Sequence, residues 1–217
     1  MIGYRLRAAK WTAFVPLALT AVLYLIANRS VDDPQHALDT MRVITVLLAL
    51  GCCAALDDPA APTLAASPTR LRRRRAQQAA ATLVPAALLW GIGYTLTIAR
   101  SGAAGSASGL LIESAGLFAI TCTIALVAQR LGRQAPGPIV GSGFMVAVLV
   151  ILGLPHPITL LPALGDPTWQ AAHQRWTVLL AVLIAVAALT TRDPAGQGIS
   201  SVPRRAIAPR RGELTDE

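Results

Sequence analysis

LDDPAAPTLAASPTRLRRRRAQQ, residues 56–78, is the stretch that decides how the chain is read. It is polar, it is broken by Pro59, Pro62 and Pro68, and apolar segments flank it on both sides. Asp57 and Asp58 open it, and Arg70, Arg72, Arg73, Arg74 and Arg75 close it. A soluble fold scatters charge over its whole surface. Here charge gathers in connections, and the segments between them are nearly free of it. Lipid imposes that pattern, because a charged side chain at the bilayer centre costs roughly 3 kcal/mol or more.

Composition points the same way. The 217 residues have a mean hydropathy of +0.55 and only 14% charged residues. A soluble domain of this size needs a larger charged fraction to cover itself. The apolar runs are rich in Ala and Leu and do not alternate, which excludes the strand pattern of a membrane barrel. The fold class expected is all-α, a polytopic membrane protein.

Outward from residues 56–78 the chain divides into six expected spans, at about 11–27, 41–56, 79–98, 110–127, 139–154 and 176–190. They form one transmembrane domain over residues 1–190. Residues 3–10 read as an interfacial lead-in, with Tyr4 and Trp11 at headgroup level. A cleaved signal peptide fits less well, since no A-x-A site follows the first run. Arg42 is expected to snorkel at the start of the second span, with Asp39 capping it. Pro85 should bend the third. Gly137 and Gly141 have GxxxG spacing, a close-packing signal where a span begins. Residues 155–175, PHPITLLPALGDPTWQAAHQR, hold four prolines and an apolar heptad too short to span. They read as a short re-entrant or interfacial segment between the fifth and sixth helices. Residues 191–217 lack a periodic apolar pattern and read as a mobile tail.

Orientation follows from charge. With six spans both termini share a side. That side carries fifteen of the 19 Lys and Arg residues, and the other carries Arg29, Arg42, Arg100 and Arg175. The basic side faces the cytoplasm. The expected location is the plasma (inner) membrane with N-in/C-in topology. The net charge of +8 is explained by this asymmetry, so no nucleic-acid partner is expected. His36, His156, His173 and Glu113 all fall on the outer side.

Few residues carry chemistry. There is no P-loop, H-E-x-x-H or G-x-S-x-G, so the chain reads as neither a nucleotide hydrolase, a zinc protease nor an esterase. Glu113 is the only acid inside a span, with a structural hydrogen bond, Arg100 or a substrate as the partners considered. Coupled pumps need more ionisable groups at mid-membrane. The histidines lie on separate loops without ligand spacing, so no metal and no cofactor are expected. Cys52, Cys53 and Cys122 read as structural thiols. Trp11, Trp90, Trp169 and Trp176 read as interface anchors.

The arginine run alone could be a stop signal or an anionic-lipid contact. Its context is more specific. An acid pair leaves one span, a short Thr63-Leu64 segment follows, then Ser67-Pro68-Thr69, then arginines lead into the next span. Ser67 or Thr69 is placed to cap that helix. The segment resembles the cytoplasmic coupling element of ABC-2 type transporter permeases. Asp57 or Asp58 matches the acid, and Thr63, Leu64, Ser67, Pro68, Thr69, Arg72 and Arg73 occupy similar positions. Here the spacing between Leu64 and Ser67 is shorter, and polar residues follow the arginines. The resemblance covers about ten positions closely and the rest of the chain as a plan.

The resemblance implies the permease subunit of an ABC transporter, an exporter rather than an importer, with no enzymatic activity of its own. A separate ABC ATPase would bind the coupling element, with Arg70 included in the contact. A second permease copy, identical or related, would complete the path, and membrane lipids would surround it. Pro155, His156, Pro157 and Trp169 would form an outer gate. The alternatives are a non-transporting scaffold or sensor with basic loops, and a metal-handling protein using the outer histidines.

Overall fold

The computed structural model describes residues 11–29, 32–55, 71–101, 107–131 and 137–190. They form six α-helices: α1 (Trp11–Ala27), α2 (Pro34–Ala55), α3 (Leu71–Ser101), α4 (Ala107–Arg130), α5 (Gly137–Leu152) and α6 (Trp169–Thr190). One 3-10 turn, His156–Ile158, lies between α5 and α6, and no strand occurs among the described residues. Four segments are long and apolar enough to cross a membrane: Pro34–Cys53, Ala79–Thr97, Ser108–Arg130 and Trp169–Thr190. The helices α1 and α5 are equally apolar but shorter, at 17 and 16 residues. At about 1.5 Å per residue they fall somewhat short of a hydrocarbon core of about 30 Å.

The middle of the bundle is α2, which packs against α1, α3, α4 and α5, while α6 packs on α4. Its two faces serve two cores. Met41, Ile44, Leu48 and Cys52 meet Phe14, Ala18 and Ala21 of α1 and Ala86 and Trp90 of α3. Ala49 and Cys53 meet Leu117 and Ile120 of α4, Val140 and Phe144 of α5, and Trp176 of α6. The peripheral helices keep bare stripes, Val15, Leu19, Leu23 and Ile26 on α1 and Val84, Leu88, Ile92 and Leu96 on α3. Stripes of that extent drive aggregation in water but are the ordinary surface of a helix against lipid.

Helix directions alternate. The C-terminal ends of α1, α3 and α5 and the N-terminal ends of α2, α4 and α6 share one end of the bundle, the loop end, where residues 153–168 lie. The start of α3 marks the opposite, arginine end.

Several boundaries differ from the hydropathy reading. The first helix matches it. In contrast, α2 starts at Pro34 rather than near 41, because Asp33 caps it: its carboxylate accepts from the His36 amide at 2.9 Å and its carbonyl from Ala37 at 3.0 Å. Asp39 therefore lies inside the helix, accepting from Gln35 at 3.0 Å, and is not the cap. Arg72, Arg73, Arg74 and Arg75 belong to α3, which runs without a break for 31 residues and contains Pro85. Asp166 and Thr168 start α6 at Trp169: the Asp166 carboxylate accepts the Thr168 amide at 2.7 Å, and the Thr168 carbonyl accepts from Ala172 at 2.9 Å. Residues 169–175 thus join α6. The expected 155–175 hairpin shrinks to a loop, 153–168, with one 3-10 turn and Gly165 in the left-handed region at φ 80°. Polar Gln170, His173, Gln174 and Arg175 lower the hydropathy there without breaking the helix.

Gly141, the second glycine of the GxxxG pair, makes no tight contact. A Cβ on Gly141 would meet only Leu50, at an ordinary 3.8 Å. The glycines that permit close approach are Gly109 and Gly116 of α4, whose added Cβ atoms would overlap His173 and Trp176 of α6. Trp90 and Trp176 are core residues rather than interface anchors. The Trp90 indole donates to the Thr45 hydroxyl at 2.9 Å and that of Trp176 to the Leu160 carbonyl at 2.7 Å.

Candidate functional site

The loop end of the bundle encloses a charged cluster. Arg42 lies in the third turn of α2, Glu113 in the second turn of α4 and His173 in the second turn of α6. Arg42 does not snorkel. Its guanidinium forks onto Glu113, Nε to Oε2 and Nη2 to Oε1, each at 2.8 Å. The side chain of Glu113 is 1% exposed and that of Arg42 11%. Burial strips both ions of water, and only good geometry with further hydrogen bonds offsets that cost. The further bonds are present: Nη2 also donates to the Pro162 carbonyl at 2.9 Å, and Nη1 to Asp39 at 3.3 Å. A planar fork matches a carboxylate, which a lysine ammonium cannot do.

His173 completes the cluster. Its Nδ1 lies 2.7 Å from the Trp169 carbonyl. A carbonyl only accepts, so Nδ1 carries the proton. Nε2 then faces Glu113 Oε1 at 3.3 Å and, though buried, forms no well-directed hydrogen bond. The ring fits because Gly109 leaves room for it, and Trp169 packs on its other side with ring centres 4.5 Å apart.

A ladder of polar contacts continues along the α2–α4 seam. Thr45 and Ser114 hydroxyls are 3.2 Å apart, and Cys53 reaches the Thr121 hydroxyl at 4.0 Å. The thiols of Cys52 and Cys53 are buried, that of Cys122 half-buried, and all three are free.

The 153–168 loop is fastened over this cluster from both sides. From α2, Arg42 holds Pro162, and the Gln35 carboxamide oxygen accepts from the Leu164 amide at 2.6 Å. From α6, Arg175 donates to the carbonyls of Thr159 at 3.1 Å and Pro157 at 2.9 Å, while Trp176 holds Leu160. Within the loop His156 pairs with Asp166 at 3.0 Å. The hydroxyl and amide of Thr168, with His156 behind them, hold the Asp166 carboxyl below the usual carboxylate range.

Among the residues expected to form an outer gate, Trp169 reaches the cluster through His173. His156 is exposed beside Asp166, and Pro155 and Pro157 lie on the outer edge of the loop. His36 bonds to Asn28 at 2.8 Å, and no group of three metal-ligating side chains occurs among the described residues. Glu113 has Arg42 as its partner; the Arg100 side chain lies outside the described residues. Of the coupling element, Asp57, Asp58, Thr63, Leu64, Ser67, Pro68, Thr69 and Arg70 lie outside the described residues. Arg72 and Arg73 occupy the first turn of α3, their side chains likewise outside. The Arg42–Glu113 pair escaped the sequence reading, which assigned Arg42 to water. Opposite charges inside two apolar segments, both near the same membrane face, were the available signal.

No protein-family model matches the chain, and neither a curated protein nor a solved structure is significantly similar to it. The chain is a helical membrane protein on the strength of its own four apolar helices.

Proposed function

We propose that the chain is the transmembrane permease subunit of an ABC exporter, with six membrane-crossing helices and both termini in the cytoplasm. One observation carries this reading. The arginines that end the coupling-like segment open α3, and that helix continues unbroken from Leu71 to Ser101 through the apolar stretch Ala79–Thr97. A load applied at the arginine end of a continuous helix is delivered into the membrane. The Thr63–Thr69 pattern immediately before it has the residue types of an ABC-2 coupling element.

On this reading an ATPase binds Thr63–Arg75 from the cytoplasm, and closure of the ATPase dimer pushes α3 against α2. The chain carries no ATP-binding motif, so hydrolysis belongs to that partner. A second permease copy supplies the other wall of the path. The 153–168 loop then faces the outside, held shut over Arg42, Glu113 and His173, and its release would open the exit.

The test is co-purification with a co-expressed ABC ATPase encoded beside this chain. The wild-type chain should retain the ATPase. Arg72→Glu/Arg73→Glu should weaken retention by about tenfold or more, since each lost charge-assisted contact is worth ~1.5–3 kcal/mol. Undiminished retention by the double variant would overturn the coupling role of these arginines.

A further inference from the structure

The loop-end cluster is satisfied except at one atom. His173 Nε2 is buried and has no hydrogen-bond partner among the described residues. The polar atom beside it, Glu113 Oε1 at 3.3 Å, is an acceptor already engaged by Arg42 at 2.8 Å. Nδ1 is committed to the Trp169 carbonyl at 2.7 Å. An unprotonated Nε2 would therefore bring a lone pair up to an anionic oxygen, acceptor against acceptor. A Cβ on Gly109 would overlap Nε2 itself, so this nitrogen lies against the α4 backbone. That leaves no space for a ligand of any size, but a proton needs none.

The charges around the ring favour the same occupant. From α4 it meets Glu113, and from α2 Arg42 with Asp39 behind, 3.3 Å from Nη1. From its own helix it meets the Trp169 carbonyl, while Arg175 is turned to the carbonyls of the loop. In the loop His156 and Asp166 are paired with each other. One cation and two carboxylates leave the Arg42, Glu113 and Asp39 group one charge short of neutral, and a proton on His173 restores the balance.

We propose that His173 Nε2 and Glu113 Oε1 form a proton-binding site whose occupancy latches the 153–168 loop. The proton comes from bulk solvent and returns to it, and only the Nε2–H bond forms or breaks. When it is bound, an imidazolium on α6 is held to the carboxylate on α4. When it leaves, two acceptors face each other and α6 is pushed from α4. The loop cannot follow both neighbours: Arg42 and Gln35 tie it to α2, whereas Arg175 and Trp176 tie it to α6. The latch is closed at the acid side of neutrality and opens as pH rises. It rests on the described cluster and not on the exporter reading, and its test reads the loop rather than transport or ATPase binding.

The full chain is placed in lipid nanodiscs, isotope-labelled at histidine and followed by nitrogen NMR. The His173 ring should be doubly protonated at about pH 6, and Nε2 alone should lose its proton as the pH is raised to about 9. Over the same range protease cleavage of the 153–168 loop, normalised to the rate on unfolded chain at each pH, should accelerate about tenfold, the weight of one charge-assisted contact. His173→Gln, whose carboxamide donates to Glu113 without titrating, should flatten that profile. His156→Gln should keep it, which separates the latch from the His156–Asp166 pair. Signals missing from His36→Gln and from His156→Gln assign the third ring, so the titration is read on wild type even where His173→Gln does not fold. The proposal is overturned if His173 Nε2 is unprotonated at about pH 6, if wild-type cleavage does not change over this range, or if His156→Gln and not His173→Gln flattens the profile.

Discussion

Arg42 shows how a single residue can belong to a different environment from the one its position suggests. Near a helix start, a long cationic side chain ordinarily turns to water. Here the same stem reaches inward to Glu113, because Glu113 and the Pro162 carbonyl together occupy three of its donor directions. The pair is better regarded as a fastener than as a source of stability. Glu113→Gln should therefore cost about 3–5 kcal/mol in denaturant unfolding in detergent, since it strands a buried guanidinium. Arg42→Met/Glu113→Leu should recover most of that loss while leaving the 153–168 loop more open to protease. Asp166 supports a pH prediction. Its carboxyl sits below its ordinary value of about 3.9, so its contribution is complete above that pH and is lost as pH falls through the lower folded value. Protease resistance of the loop should drop in the wild type below about pH 4. In Asp166→Asn it should already be reduced at neutral pH, with a flatter acid profile.

Between elements, the α4–α6 contact depends on glycine more than on any apolar side chain. Gly109 and Gly116 give up their side chains so that His173 and Trp176 can lie against the α4 backbone. A methyl group at Gly116 would have to displace a fully buried indole. Gly116→Ala should destabilise by about 1–3 kcal/mol, as overpacking does. It should also shift Trp fluorescence to the red as the ring is released, and Gly116→Ala/Trp176→Leu should regain much of the stability. The same change at Gly141 should be nearly silent, since its surroundings have space. The spacing of Gly137 and Gly141 was the more conspicuous of the two in the sequence, yet spacing alone does not say which faces meet.

For the whole molecule, the central question is which end of the bundle faces the cytoplasm. Under the proposed orientation a single cysteine at Leu164, in a chain with Cys52, Cys53 and Cys122 changed to Ala, should react with a membrane-impermeant maleimide on intact cells. A single cysteine at Ser200 should react only after lysis. The reverse pattern would invert the topology and remove the arginines from any cytoplasmic partner. Burial is uneven across the bundle: α2 is covered on most sides, whereas α3 and α6 leave most of their span bare. A buried hub with peripheral, lipid-facing helices lets an outer helix shift without dismantling the core.

The helices themselves were legible because a membrane imposes a one-dimensional rule: an apolar run of sufficient length, with its charges moved to the ends, becomes a helix wherever it occurs. Helical class and the approximate places of the six described helices followed from that rule, and α1 followed to the residue, although only four of the six are long and apolar enough to cross a membrane. The starts of α2 and α6 did not, because Asp33 and Thr168 act through caps that hydropathy does not weigh. The candidate site was beyond the sequence for a different reason. Arg42, Glu113 and His173 are contributed by three helices, with 71 positions separating the first pair. Nothing local distinguishes a buried arginine from a snorkelling one. Only the packing of α2 beside α4, with α6 drawn close by Gly109, decides that these charges meet each other instead of water.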